Sequence, residues 1–128
     1  MTMRDLNDQV DVALSLVPAA RVNGTLNGTG VDLRGYDSAM LVVSFGAYTD
    51  GTHTPSLQHS DDNSSFATVT AAELTAAFTA VSSAGGANSV QRVGYLGSKR
   101  YVRAVLTVTG ATTGALSDAS VVRGTPRN

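Results

Sequence analysis

Residues 92–110 read RVGYLGSKRYVRAVLTVTG, and the second half of this stretch alternates. Val102, Ala104, Leu106 and Val108 fall on one side; Tyr101, Arg103, Val105, Thr107 and Thr109 fall on the other. Successive side chains of a strand point to opposite faces, so a period of two marks a half-buried β-strand. Ser89–Leu96, just upstream, is also strand-like, and Gly97-Ser98-Lys99 lies between the two runs. The stretch predicts a β-hairpin with a basic rim.

The rest of the chain continues the theme. Ser38–Tyr48 is the most apolar segment, with Ala39, Leu41, Val43, Phe45 and Ala47 on one face and Met40 and Val42 on the other. Both faces being partly apolar predicts a central strand, or one whose outer face is covered by another element or subunit. Val12–Val17 is a short strand candidate ended by Pro18. Asn23-Gly24 and Asn27-Gly28 are each type I′ hairpin signals. Asp50-Gly51 is a turn, and Pro55–Ser60 and Phe66–Val69 are short strands around the loop of residues 61–65. Thr70 and Glu73 have capping-box spacing, which predicts one short turn of helix near residues 71–76. Ser82–Asn88 and Gly110–Gly114 are loops, a last strand falls near Leu116–Arg123, and Gly124–Asn128 is a tail.

These signals, about eight short strands with a turn roughly every ten residues, describe an all-β sandwich or barrel, and an antiparallel sandwich is the expected fold. Residues 1–10 are polar and acidic and are expected to form a flexible arm; residues 11–128 are expected to form one domain, which the 128-residue length fits. With three Phe, four Tyr and no Trp, the core must be built mainly from Val, Leu and Ala. No cysteine is present, so disulfides and thiolate metal sites are excluded. No apolar run approaches the roughly 20 residues that span a bilayer as a helix. The N-terminal stretch carries acids in place of a basic leader, so no signal peptide and a cytosolic site of synthesis are expected.

Net charge is −1, which gives no nucleic-acid footprint. The charge is unevenly spread: the first 64 residues hold three Arg and eight Asp, the rest five Arg, one Lys, one Glu and one Asp. Such halves are either a mixed solvated surface or complementary patches that meet across a contact.

Catalytic chemistry is hard to find. His53 and His59 read as exposed loop or strand-end residues, and a metal site there would need Asp61 or Asp62 as a further ligand. Asp61-Asp62-Asn63 is rich in oxygen but lacks calcium-loop spacing, and its residues are better read as turn formers bonding their own backbone. There is no Gly-x-Ser-x-Gly elbow, and Glu73 is the only glutamate. The chain is expected to have no enzymatic activity, cofactor or metal. The densest functional group is Arg92, Lys99, Arg100, Tyr101 and Arg103, residue types that anchor interfaces. The alternative is a solvated strand face whose Arg stems cover apolar neighbours. Arg103, in mid-strand, is expected to need a carboxylate partner in the fold or across a contact.

Three segments carry a resemblance: Val31–Ala39 (VDLRGYDSA), Leu57–Phe66 (LQHSDDNSSF) and Gly97–Arg103 (GSKRYVR). Together they resemble small proteins encoded in the head-gene modules of tailed bacteriophages, and within these the capsid cement, or decoration, proteins. The resemblance implies a jelly-roll-like sandwich on the outer capsid surface of the virion that bridges major capsid protein subunits. It also implies a homo-oligomer, a dimer or trimer, with no nucleic-acid or membrane partner. A head–tail or tail component and a carbohydrate-binding module are the rival readings; the second is weakened because only four Tyr and no Trp could stack on sugar rings.

Overall fold

The computed structural model describes residues 7–126. Among these, the strand segments are β1 (Val10–Arg21), β2 (Gly24–Asn27), β3 (Val31–Asp32), β4 (Tyr36–Tyr48), β5 (Thr52–Ser60), β6 (Ala67–Thr68), β7 (Ser89–Tyr95), β8 (Tyr101–Thr109) and β9 (Ala115–Pro126). They form two antiparallel sheets, one ordered β1-β9-β4-β7 and the other β2-β8-β5-β6, with β3 also on β8. β2 and β3 lie along the same edge of β8, Asn27 opposite Val105 and Val31 opposite Val102. They are two halves of one edge strand broken by a bulge at residues 28–30. Counted that way, the first strand pairs with the eighth, the second with the seventh, the third with the sixth and the fourth with the fifth. That winding is a jelly roll, and the expected eight-strand all-β sandwich is the fold observed.

The expected hairpin of residues 89–109 does not form. β7 pairs with β4, and β8 pairs with β2, β3 and β5 in the opposite sheet. Residues 96–100 cross between layers. They fold tightly over Tyr95: Lys99 N–H donates to the Tyr95 hydroxyl at 3.1 Å, and a Cβ at Gly97 would collide with the Tyr95 ring. A tight turn has the same local sequence whether the chain folds back in its own sheet or passes to the facing one, about 10 Å away. Turn signals located the corner without fixing the pairing.

The same holds for the two Asn-Gly pairs. Asn23-Gly24 is the corner from β1 to β2, and the Asn23 carboxamide accepts the Ala111 N–H at 2.7 Å. Asn27-Gly28 begins the edge bulge: Gly28 N–H donates to the Ala104 carbonyl at 2.7 Å, and a Cβ there would strike Ser15 and Ala104. Pro18 does not end β1. The strand continues to Arg21 with register shifts between Leu14 and Leu16 and between Leu16 and Ala19. β1 is an edge strand, where a missing N–H is tolerated at a bulge. At the other end β9 runs to Pro126, past the expected stop at Arg123. Residues 7–9 form a turn and Val10 already pairs with Gly124; the expected arm's residues 1–6 and the tail's residues 127–128 lie outside the described residues.

The helix expected near 71–76 is a single 3₁₀ turn, Ala71–Glu73. The Thr70 hydroxyl caps no backbone group and reaches only the Glu73 carboxylate, at 3.4 Å. The chain then runs extended along the open side of the sandwich. Leu74 bridges Tyr95 on β7, and Val81 bridges His53 on β5 with both backbone bonds at 2.8 Å. A second 3₁₀ turn, Ala84–Gly86, sits in the glycine loop.

The core is aliphatic, as composition predicts. Leu41, Val43, Phe45 and Val121 of one sheet meet Leu57, Val102, Leu106 and Val108 of the other. Each such side chain contributes about 1.5–3 kcal/mol by leaving water.

Candidate contact surfaces

The five residues singled out from sequence do not form one cluster. Lys99, Arg100, Tyr101 and Arg103 belong to the β2-β8-β5-β6 side, whereas Arg92 is exposed on β7 in the other sheet, opposite Val42. On the first side the charges are largely spoken for within the chain. Lys99 Nζ donates to Asp61 at 2.7 Å. Arg100 forms two bonds to Asp32, at 3.0 and 2.8 Å, and its guanidinium lies 5.0 Å from the Tyr101 ring centre. The Arg100 hydrogen bonds hold the Asp32 carboxyl below its usual range, and the Asp61 hydrogen bond raises Lys99.

Among the described residues no carboxylate pairs with Arg103, so of the two expected sources of a partner, the fold or a contact, the fold does not supply it. Its Nε and Nη2 both donate to Gln58 Oε1, at 2.9 and 2.6 Å, and its guanidinium stacks 4.0 Å from the Phe66 ring centre. Gln58 is its cross-strand neighbour on β5. A neutral oxygen and an aromatic face suffice because the side chain is only half-buried and its charge stays in contact with water. The result is a flat, ordered Arg–Phe–Gln group with Tyr101 beside it on the same strand face.

Both histidines are core residues, which corrects the reading of them as exposed. His53 is 0% exposed, packed edge-on between Phe45 and Tyr48, and its Nε2 donates to the Asp50 carbonyl at 3.0 Å. Its Nδ1 is buried without a partner. His59 pairs through Nδ1 with the Tyr95 hydroxyl at 2.8 Å. The alternation that sends Leu57 inward sends His59 and His53 inward with it, so burial was legible in the spacing.

The acidic loop after β5 behaves as turn chemistry. Asp62 Oδ1 accepts N–H bonds from Ser64 and Ser65, both at 2.9 Å, and the Ser60 hydroxyl at 2.7 Å. Ser60 Oγ in turn accepts the Asp62 and Asn63 N–H groups, and Asn63 takes a left-handed φ of 60°. These donors, the Ser65 N–H foremost, pull the Asp62 carboxyl down to about 2. Asp50 does the same for the loop before β9, accepting N–H bonds from Gly114, Thr112 and Thr113, and these, the Gly114 N–H foremost, lower its pKa. Among the described residues no three His, Asp or Glu side chains gather in a group fit for a metal ion.

Sequence reasoning missed the outer face of the β1-β9-β4-β7 sheet as a unit. Val12, Leu14 and Val90 are 57%, 51% and 67% exposed on it, with Met40, Val42 and Val122 half-buried between them. The signal was the apolar outer side of Ser38–Tyr48, which asked for a cover. Among the described residues no element of this chain supplies one.

No protein-family model matches the chain, and no curated protein matches it in sequence. Among solved structures it is similar to the PBSX exported protein XepA, at 21% identity and a TM-score of 0.58. The likeness covers 92% of this chain and 38% of that one, so the chain spans well under half of its structural neighbour's length. A likeness at this identity is one of fold.

Proposed function

We propose that this chain is a virion structural protein of a tailed phage: a cement protein that binds the outer capsid surface and bridges neighbouring major capsid protein subunits. Three things support the reading. The head-module resemblance lies in Val31–Ala39, Leu57–Phe66 and Gly97–Arg103. A solved structure that shares the fold over nearly the whole chain is the PBSX exported protein XepA, a phage protein. The third support is geometric: two of those three segments supply the ordered surface formed by Arg103, Phe66, Gln58 and Tyr101.

That surface is the observation on which the proposal rests. Arg and aromatic residues dominate interface energetics. Here the Arg103 side chain is already fixed by Gln58 and Phe66, so docking costs little further side-chain entropy. A protein that binds the assembled shell but not free subunits stabilises the shell by mass action. Repetition over a lattice multiplies a modest contact through avidity. The mechanism uses no bond-making step, cofactor, nucleic acid or membrane.

Counting copies tests it. Calibrated mass spectrometry of purified virions should find this chain in numbers comparable with the major capsid protein. A handful per particle would instead identify a head–tail or tail component. A second reading draws on the neighbour being named an exported protein: recovery of the chain mainly from particle-free culture medium would favour that one.

A further inference from the structure

We propose that the outer face of the β1-β9-β4-β7 sheet receives a second copy of this chain across a two-fold axis, with Arg92 of each copy paired to Asp118 of the partner subunit. The face is built in register. Val12, Val122 and Met40 are cross-strand neighbours in one row, and Leu14 and Val42 lie in the next. Among the outward-facing described positions of the four strands, Arg92 and Asp118 are the only charged residues. Among the described residues neither forms an ion pair; the pairs there are Lys99–Asp61, Arg100–Asp32 and Arg123–Asp11. Nor do they meet each other: Arg92 is opposite Val42 and Asp118 opposite Ser44, with β4 between them and one outward step along the strand.

One unpaired cation and one unpaired anion on an apolar face make that face complementary to itself. A two-fold axis repeats every contact, so a single Arg92–Asp118 match is made twice and the facing surfaces carry no net charge. A partner of another kind would have to supply the same pattern by coincidence. The size fits a modest dimer. Four strands about 4.8 Å apart, with about eight residues each at ~3.3 Å, give a footprint of roughly 500 Å² per copy. Two copies then bury about 1,000 Å², the lower bound for a specific interface, so association in the micromolar range is expected. The inference does not rest on the capsid reading, and its test contains no capsid.

The test is sedimentation equilibrium of the purified full chain from about 1 to about 100 μM. A monomer–dimer equilibrium is expected. Arg92→Asp and Asp118→Arg should each weaken it at least about tenfold, because each places like charges opposite one another twice. The combined variant should return to within about threefold of the original. It carries both substitutions, so its recovery also shows that neither prevents folding. A monomer at every concentration would overturn the proposal, and so would species beyond the dimer, indifference to the single reversals, or failure of the combined variant to recover.

Discussion

The Tyr95 hydroxyl lies 2.8 Å from His59 Nδ1, and that contact ties one sheet of the sandwich to the other. Tyr95 ends β7 and His59 is next to last in β5, their rings meeting edge-on at 5.7 Å. The same hydroxyl accepts the Lys99 N–H, so one oxygen serves both the corner and the imidazole. Removing the oxygen strands both groups. Tyr95→Phe should keep the fold but cost about 1–3 kcal/mol, read as a lower urea midpoint at unchanged slope. An unchanged midpoint would show that the bond adds nothing.

Ser15 is the matching tie at the β1 edge. Its Oγ donates to the Thr29 carbonyl at 2.9 Å and accepts the Ala104 N–H at 2.8 Å, completing the ladder where the β2–β3 bulge leaves it open. Ser15→Ala should destabilise by about 1–3 kcal/mol, since the Ala104 N–H is then buried without a partner. Ser44→Ala, on the outer sheet face, should fall within about 0.5 kcal/mol of the parent. Equal thermal shifts for the two would refute this account of Ser15.

Acid should weaken the fold through the loop carboxylates. Asp62 titrates at about 2 in the folded chain, and Asp50 and Asp32 are also lowered. A depressed folded pKa stabilises the fold above the unfolded value, near 4, and that contribution is lost as pH falls toward 2. Urea midpoints should therefore drop between pH 5 and pH 2, values chosen to bracket the carboxylate range of about 4. Asp62→Asn should shrink the drop. Tyr95 works at the other limit: burial raises its pKa, so its contribution holds below about 10 and is lost as pH rises further.

Two glycines with positive φ should respond differently to alanine. Gly114 has φ +81° and a Cβ there would overlap the Arg21 carbonyl; Gly110 has φ +67° with open space around it. Gly110→Ala should cost about 1–2 kcal/mol from conformation alone. Gly114→Ala should cost more than Gly110→Ala, as the β1 end must also move. Similar melting temperatures for the two variants would contradict this.

Arg103→Glu should impair capsid binding more than Lys99→Glu. Arg103 is the centre of the ordered Phe66–Gln58 surface, whereas Lys99 sits at a corner paired to an exposed Asp61. Co-sedimentation with particles lacking the protein reads the difference, and equal losses would count against this surface.

Val102, Ala104, Leu106 and Val108 are all buried as their alternation predicts, and Val105 on the opposite side is buried as well. Side-chain direction within a strand is local, so the sequence shows it. Pairing is not local. Residues 97–99, Asn23-Gly24 and Asp50-Gly51 were recognised as turns, yet each is a passage between sheets, and the choice depends on partners as distant as Gly24 and Val108. The contact surfaces were harder still. Arg92 and Arg103 are close in sequence but belong to different sheets, and nothing in the residues beside Asp118 marks it as a contact residue. The partners of Arg103, Gln58 and Phe66, became visible only once β5 was placed beside β8.

The central claim is adhesion to a phage shell, and the most direct measurement is a difference map between electron cryo-microscopy images of virions with and without this chain. The account predicts added density at repeated equivalent positions across the outer capsid surface, with the face bearing Arg103 and Phe66 turned toward the major capsid protein. Density confined to the tail or to a single vertex, or no difference at all, would contradict it.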